Sequence, residues 1–252
     1  MVAALLLSLT LAAVPADASV RASVVLITLD TTRADHLGCY GGARTETPRL
    51  DALARSGVRF EQALSPVPLT LPAHVSLLTG QVPRHHGVRD NLGFKLDPKI
   101  PLLTERLSAA GYTTAAFVSA AVLDRDGGLA RGFATYDDLV RVGDRRAFDY
   151  QERAASQTVD ALLERLGTLK PPFFLWVHFY DPHLPYVPPE PYASRFKDRP
   201  YDGEIAFMDA QIGRIFDVLK RRGTTVYVAV AGDHGESLGE HGEDGHGVFV
   251  YE

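Results

Sequence analysis

Three mainly apolar segments constrain the fold of this 252-residue chain most strongly. They are residues 23–29 (SVVLITL), 173–179 (FFLWVHF) and 224–231 (TTVYVAVA). Continuous apolar runs rich in β-branched residues are typical of central strands that are covered on both faces. Because segments with helical periodicity separate them, the sequence predicts an α/β fold with a mostly parallel central sheet and helices on both faces.

The remaining elements follow from proline and glycine punctuation and from the spacing of apolar residues. Helices are predicted at 47–57, 70–79, 101–111, 148–167 and 201–222, and further strands at 58–64 and 112–119. Residues 81–94 read as a loop, and residues 120–147 as a surface excursion without a clear period. There is no internal repeat and no linker, so one large domain is expected.

Composition excludes several classes of partner and site. A formal net charge of −5 provides no basic surface field, so we expect no nucleic-acid partner. The single cysteine, Cys39, excludes an internal disulfide and a cysteine-rich zinc site.

Residues 1–18 have the apolar run and the small-x-small ending of a secretory signal peptide, although no lysine or arginine precedes the run. The run is short for a transmembrane helix, and no other segment is apolar for long enough to span a bilayer. The sequence therefore predicts an exported protein, periplasmic or secreted, with residues 19–252 as the mature chain.

Residues 65–80 (SPVPLTLPAHVSLLTG) predict a helix that begins near Thr70 and ends at Gly80. Pro72 suits the first turn, where a missing N–H is tolerated. Thr70 would then lie at the positive end of the helix dipole, a favourable place for phosphate or sulfate. The alternative is that Thr70 is only an N-cap residue.

Ionisable side chains directly follow the three buried strands. Asp30 follows the first, Asp233 and His234 follow the last, and His183 lies in the loop after 173–179. In a parallel sheet these positions share one edge, where α/β proteins place their ligands. Local alternatives are an Asx turn at Asp30 and a solvated glycine-rich loop around Asp233 and His234.

Asp30, Asp233, His234 and the Thr70 hydroxyl form a plausible ligand set for one divalent cation, with Mn²⁺, Zn²⁺, Mg²⁺ and Ca²⁺ all compatible. A threonine hydroxyl is a poor nucleophile at neutral pH, and metal coordination is one way to activate it. The same cation would neutralise charge on a transferred group.

Five motifs together resemble the N-terminal catalytic domain of the sulfatase branch of the alkaline phosphatase superfamily, over residues 24–252. The motifs are LITLDTTRADHLGCYGG (26–42), SPVPLTLPAHVSLLTG (65–80), GVRDN (87–91), DPHLPY (181–186) and AGDHGESLGEHG (231–242). The resemblance implies that Asp30, Asp233 and His234 are metal ligands and that Thr70 occupies the nucleophile position. It further implies that 19–252 is a catalytic domain lacking its C-terminal subdomain.

The resemblance also assigns substrate-facing positions. Asn91 and His183 match residues that line the anion pocket, and His246 falls near a lysine that contacts the ester in sulfatases. His74 replaces the arginine of the nucleophile motif, and Thr31 replaces a second metal-binding aspartate. Threonine cannot give the formylglycine of sulfatases; threonine nucleophiles are typical of the phosphodiesterase, phosphonate-processing and phosphoglycerol-transferase relatives.

We therefore expect a metal-dependent hydrolase or transferase of phosphate or sulfate esters, with phosphoester or phosphodiester chemistry favoured. Thr70 would attack in line and form a covalent ester, and the helix N–H groups with Asn91 and His74 would hold the non-bridging oxygens. His183 or His246 would protonate the leaving oxygen of a small-molecule, glycan or lipid ester.

Two other functions remain open: a sulfuric ester hydrolase that works without formylglycine, and a non-catalytic metal- or glycan-binding relative. For His183 the alternative role is to order its loop. His241 and His246, with Asp181 as a conceivable partner, could instead form a second metal site.

Overall fold

A computed structural model describes residues 21–138 and 153–247, so the predicted signal peptide at 1–18 lies outside the described residues. Its centre is a five-stranded parallel sheet with the order β3-β2-β4-β1-β5. The strands are β1 (Ser23–Leu29), β2 (Thr113–Phe117), β3 (Thr135–Asp137), β4 (Phe173–Phe179) and β5 (Val226–Gly232).

The strand register brings three chain segments to one edge of the sheet. Leu29 at the end of β1 pairs with Phe179 of β4 on one side and with Gly232 of β5 on the other. The three strands therefore end at the same level, and the residues that follow them emerge side by side.

Helices cover both faces of the sheet. They are α1 (Pro48–Ser56), α2 (Thr70–Thr79), α3 (Pro83–His86), α4 (Leu103–Ala109), α5 (Ala155–Leu166), α6 (Tyr192–Arg195) and α7 (Pro200–Arg222). Apolar residues of α1, α5 and α7 pack on one face, and those of α2 and the segments around Leu102 and Leu123 pack on the other.

Alternation along β1 explains why both faces are buried. Val25 and Ile27 belong to the first apolar cluster, whereas Leu26 belongs to the second. Successive side chains of a strand point to opposite faces, so a continuous apolar run serves two helical layers. The predicted α/β architecture, with helices on both faces of a mostly parallel sheet, is confirmed.

The strand predicted at 58–64 is wrong. This segment pairs with no strand among the described residues, and Val58, Phe60 and Leu64 are 82%, 70% and 94% exposed. A run of β-branched and aromatic residues favours a strand only where a neighbouring strand and a core receive it.

Three predicted segments differ in detail. The excursion at 120–147 contains the buried side chains of Leu123 and Leu129 and contributes β3 to the sheet. The loop at 81–94 includes the single turn α3, which ends at Gly87 in the left-handed region. Of the helix predicted at 148–167, the described part is α5, and residues 148–152 lie outside the described residues.

Beyond the main sheet, a short antiparallel pair follows β5. It consists of β6 (Ser237–Leu238) and β7 (Asp244–Gly245). Within the described part of the chain, β5 has a neighbouring strand on one side only, and its Tyr227 is 68% exposed. None of the described helices is both long enough and apolar enough to cross a membrane.

Candidate functional site

Thr70 is the first residue of α2, and Leu69, with an extended backbone, takes the N-cap position. The Thr70 hydroxyl is therefore not the helix cap. Its Oγ1 atom lies 3.5 Å from Asp30 Oδ2 and 3.4 Å from His234 Nε2, and the side chain is buried. The structure thus points this hydroxyl at the ionisable residues of the sheet edge.

Asp30 follows β1 and Asp233 follows β5, so the strand register alone places the two buried carboxyl groups together. Oδ1 of Asp233 accepts hydrogen bonds from the backbone N–H groups of Thr31, at 3.2 Å, and of His234, at 2.7 Å. By contrast, Asp30 Oδ1 and Asp233 Oδ2 are buried without a hydrogen-bond partner among the described residues.

The two carboxyl groups perturb one another. Burial raises the pKa of Asp30, although the neighbouring histidines oppose this. Burial and the charge of Asp30 raise the pKa of Asp233. Burial alone would lower the pKa of His234, but the charges of Asp233 and Asp30 outweigh burial and raise it. A cluster of this kind is unfavourable unless positive charge is supplied.

The donor atoms fit a single divalent cation. His234 Nε2 lies 3.5 Å from Asp30 Oδ1, 3.6 Å from Asp233 Oδ2 and 3.4 Å from Thr70 Oγ1. Ligands about 2.1 Å from a tetrahedrally bound ion are roughly 3.4 Å apart. The spacing of these atoms and the two unpartnered carboxylate oxygens therefore match a metal-binding site formed by Asp30, Asp233 and His234.

Asn91 joins this site through the helix start. Its side-chain oxygen accepts a hydrogen bond of 2.8 Å from the backbone N–H of Leu71. Pro72 has no N–H, and the N–H of Ala73 bonds to the Leu69 carbonyl. The first turn of α2 therefore offers an anion fewer backbone donors than the sequence suggested, whereas the Asn91 amide nitrogen carries two donors.

His183 lies in the loop after β4 and is largely buried. Its Nδ1 atom is 2.7 Å from the carbonyl of Leu184, which can only accept, so Nδ1 carries the proton. The ring stacks on Tyr180 at 4.3 Å, and burial lowers its pKa. His183 is therefore a neutral imidazole whose Nε2 atom is an acceptor.

His246 lies next to Glu236 because of the β6–β7 hairpin. Ser237 pairs with Gly245, so the next antiparallel pair outward is Glu236 with His246. His246 Nδ1 is 2.9 Å from Glu236 Oε1. The His246 ring is 4.5 Å from the His234 ring.

Glu236 was not among the residues singled out from the sequence. Glu236 lies three residues before the turn at 239–243 and His246 three residues after it. In a hairpin this equal spacing pairs the two residues, so it is the sequence signal that would have identified Glu236.

His74 is fully buried beneath the first turn of α2. Its Nδ1 atom is 2.7 Å from the carbonyl oxygen of Thr70, and its Nε2 atom is 2.9 Å from Thr28 Oγ1. Burial lowers the pKa of His74 to about 3. A neutral imidazole with both nitrogens engaged inside the protein does not favour the expected contact with substrate oxygens.

Thr31 adopts a left-handed backbone with φ 48°, which is strained for a β-branched residue. Three hydrogen bonds hold it. Its N–H donates to the Asp233 carboxylate, its hydroxyl donates to the carbonyl of Pro182, and its carbonyl accepts from the Tyr201 hydroxyl. At this position the side chain ties the exits of β1 and β4 together. Nearby, a Cβ at Gly232 would lie 2.9 Å from the Thr32 carbonyl, so this glycine permits close approach of two loops.

His178 is a second residue that sequence reasoning missed. With His74 and Asp233 it forms a further buried group of metal-type ligands. Both of its ring nitrogens lack a hydrogen-bond partner among the described residues, and Nε2 is 3.4 Å from Asp30 Oδ2. The sequence also allows a second metal site formed by His241 and His246, with Asp181 as a partner. Asp181 accepts a hydrogen bond from the Ala155 N–H at the start of α5. The side chain of His241 is not among those described.

Comparison with known proteins gives consistent matches. An arylsulfatase of Clostridium perfringens (strain 13 / Type A) is 24% identical over 87% of this chain and 64% of its own length. The uncharacterized sulfatase YidJ of Escherichia coli (strain K12) is 23% identical over 92% of this chain and 61% of its own length. This chain therefore spans less than two thirds of the length of these curated relatives.

Solved structures agree on the fold. The phosphonate monoester hydrolase of Agrobacterium radiobacter aligns with a TM-score of 0.76 at 23% identity, over 91% of this chain and 66% of its own. A protein in complex with its substrate D-glucosamine-2-N,6-O-disulfate also aligns with a TM-score of 0.76, at 18% identity over 92% of this chain. The family model described as Sulfatase matches residues 22–248. The chain belongs to the sulfatase family, within the alkaline phosphatase superfamily.

Proposed function

We propose that this chain is the catalytic part, residues 19–252, of a metal-dependent ester hydrolase or transferase in which Thr70 is the nucleophile. The observation that carries the proposal is the buried Thr70 hydroxyl, placed 3.4–3.5 Å from Asp30 and His234 at the start of a helix. A threonine serving only to cap the helix would not need a side chain directed at two buried ionisable groups.

Asp30, Asp233, His234 and Thr70 would hold the divalent cation. When bound, such an ion lowers the pKa of a coordinated hydroxyl and neutralises charge on the transferred group. The two unpartnered carboxylate oxygens support this assignment. The donor set of two carboxylates, one imidazole and one hydroxyl suits Mn²⁺, Zn²⁺, Mg²⁺ or Ca²⁺ and does not select among them.

The chain's own residues divide the reaction between them. Thr70 Oγ forms a bond to phosphorus or sulfur as the bond to the leaving oxygen breaks, and the hydroxyl proton passes to solvent. A water then attacks the threonine ester, which releases Thr70 with its proton restored. The Asn91 amide nitrogen would donate to a non-bridging oxygen, because its oxygen already holds Leu71.

Between the two histidines proposed to protonate the leaving oxygen, the geometry favours His246. Glu236 accepts a hydrogen bond from the His246 Nδ1–H, which orients the ring and leaves Nε2 as the atom that exchanges a proton, as in a catalytic triad. His183 donates its Nδ1 proton to a carbonyl, and its lowered pKa keeps it neutral, so it is better suited to accept a hydrogen bond or order the loop.

Phosphate chemistry is the first candidate because threonine cannot supply the formylglycine aldehyde of sulfatases. A structural neighbour that hydrolyses phosphonate monoesters is compatible with this choice. The second candidate is sulfate-ester hydrolysis without formylglycine, which the arylsulfatase relatives favour. Relatives include one that takes a sulfated sugar, so we propose a small-molecule, glycan or lipid ester as substrate.

The experiment compares turnover of aryl phosphate, bis-aryl phosphate, aryl phosphonate and aryl sulfate esters by the wild type, Thr70→Ala and Thr70→Ser. Loss of the nucleophile should lower kcat by roughly a thousandfold or more, whereas serine should retain part of the rate. Peptide mass spectrometry of the quenched wild type should find the transferred group on Thr70.

The ester that is turned over fastest decides between the two chemistries. Equal, weak turnover by wild type and Thr70→Ala would contradict the proposal and favour the non-catalytic metal- or glycan-binding protein.

We also propose export to the periplasm or the exterior, on the strength of the apolar run and the Ala16-Asp17-Ala18 ending in residues 1–18. N-terminal sequencing of the protein recovered from a periplasmic fraction tests this: a start at residue 19 supports it, and retention of residues 1–18 in the cytoplasm contradicts it.

A further inference from the structure

We infer that His74 is a positioning residue. A hydrogen-bonded chain that runs from Trp176 through Thr28 to His74 holds the main chain of Thr70, and thereby the direction of its hydroxyl. The inference rests on the proposed function, because it explains how the proposed nucleophile is kept in place.

The direction of each hydrogen bond follows from its partners. The indole N–H of Trp176 can only donate, so at 3.0 Å it donates to Thr28 Oγ1. The carbonyl of Thr70 can only accept, so His74 Nδ1, 2.7 Å away, carries the ring proton. In the neutral ring His74 Nε2 is then an acceptor, and the Thr28 hydroxyl donates to it at 2.9 Å.

The hydrogen-bonded chain links the elements that form the site. Thr28 lies in β1, two residues before Asp30, and Trp176 lies in the neighbouring strand β4, where it pairs with Leu26. His74 lies one turn after Thr70 in α2. The side chains of Trp176, Thr28 and His74 are fully buried, so no solvent competes for their hydrogen bonds. The first turn of α2 is thus fixed to the same strands that carry the carboxylates.

The hydrogen bond from His74 to Thr70 also determines whether His74, His178 and Asp233 can together bind a second cation. The Nδ1 atom of His74 lies 3.6 Å from Asp233 Oδ2, but its proton is committed to the Thr70 carbonyl at 2.7 Å. A metal ion at Nδ1 would displace that proton and release the carbonyl. His74 therefore supports the nucleophile and is not a ligand of a second cation.

The test uses the full chain and removes the Thr28 hydroxyl, and with it its hydrogen bonds to Trp176 and His74, with little change in side-chain volume. Thr28→Val deletes the hydroxyl, Thr28→Ser retains it, and Thr114→Val is the matched control. Thr114 is a buried strand residue whose hydroxyl bonds the Gly132 carbonyl away from the site. Two readouts are taken: kcat and KM for the best ester of the panel, and the ¹⁵N shifts of the His74 ring.

Thr28→Val should lower kcat by roughly 10- to 100-fold, the range usual for residues that orient a site from behind, with KM little changed. Thr28→Ser should restore most of the rate, and Thr114→Val should keep the wild-type kcat. The ring of His74 should be the Nδ1-protonated tautomer in the wild type.

Wild-type kcat in Thr28→Val, or an Nε2-protonated His74, would overturn the inference. If instead Thr70→Ala is as active as the wild type, the proposed function fails. The tautomer of His74 still supports or overturns the hydrogen-bonded chain in that case, so the two failures are distinguishable.

Discussion

At the scale of single residues, Glu236 makes the sharpest prediction. Glu236→Gln should lower kcat by roughly 10- to 100-fold for alkyl esters, because an amide oxygen accepts the His246 Nδ1–H hydrogen bond more weakly than a carboxylate and orients the ring less well for proton transfer. Nitrophenyl esters, whose leaving groups need little protonation, should be affected much less. The measurement is kcat for both ester types.

Glu240→Gln is the control for this change, since Glu240 lies in the same hairpin, is exposed and bonds Arg33 instead. An equal loss for both ester types, or an equal loss in the control, would contradict the role of Glu236 as the partner of a general acid.

Site residues that directly follow a strand can be predicted from the sequence, whereas site residues whose role depends on side-chain packing cannot. Asp30, Asp233 and His234 come together because parallel strands end at one edge, which the apolar runs predict. Thr28 and His178 point into the layer between the sheet and α2. Nothing local distinguishes a strand hydroxyl that packs passively from one that orients a histidine.

At the scale of elements, Asp209 of α7 couples helix packing to pH. Its carboxylate accepts the backbone N–H groups of Arg49 and Leu50 at the start of α1. Burial raises its pKa to about 6 from an ordinary value of 3.8. Between these values the folded chain keeps a proton that the unfolded chain has lost, so stability decreases as the pH rises through this window.

The expected change in the free energy of unfolding from this group is on the order of 3 kcal/mol between pH 3.8 and 6. Asp209→Asn should flatten the dependence, because an amide does not titrate. Denaturant unfolding at several pH values measures it, with Asp217→Asn on the same helix, half exposed, as the control. An unchanged slope in Asp209→Asn would show that another group is responsible.

The elements themselves are predicted well where a core receives them and poorly where none does. The bounds of β1 and β4 match their apolar runs because both faces are covered. The segment 58–64 has strand-like composition but no neighbouring strand within residues 21–138 and 153–247, and its apolar side chains are exposed. Pairing depends on which surfaces are available, and a local pattern does not contain that information.

For the whole molecule, removal of divalent cations should lower the melting temperature. A cation that binds only the folded chain stabilises it by about 2.7 kcal/mol at a concentration one hundred times its Kd. Unfolding with and without a chelator, followed by readdition of Mn²⁺, Zn²⁺, Mg²⁺ or Ca²⁺ in turn, measures the effect and ranks the ions.

Asp233→Asn is the variant that makes the chelation result specific, because Asp233 Oδ2 lies at the proposed cation site and has no hydrogen-bond partner in the part of the chain that the structure describes. The variant should melt at nearly the same temperature with and without chelator. A chelator effect as large as that of the wild type would place the stabilising ion elsewhere.

Among the described residues β5 pairs with a strand on one side only, and this has a consequence for handling the protein. Its outer N–H and C=O groups and the exposed Tyr227 ring form a template on which a strand of a second molecule can be laid down. Light scattering of the protein should therefore increase with its concentration, because molecules associate through the exposed edge of β5. Dilution, or a peptide that pairs with this edge, should reduce the scattering.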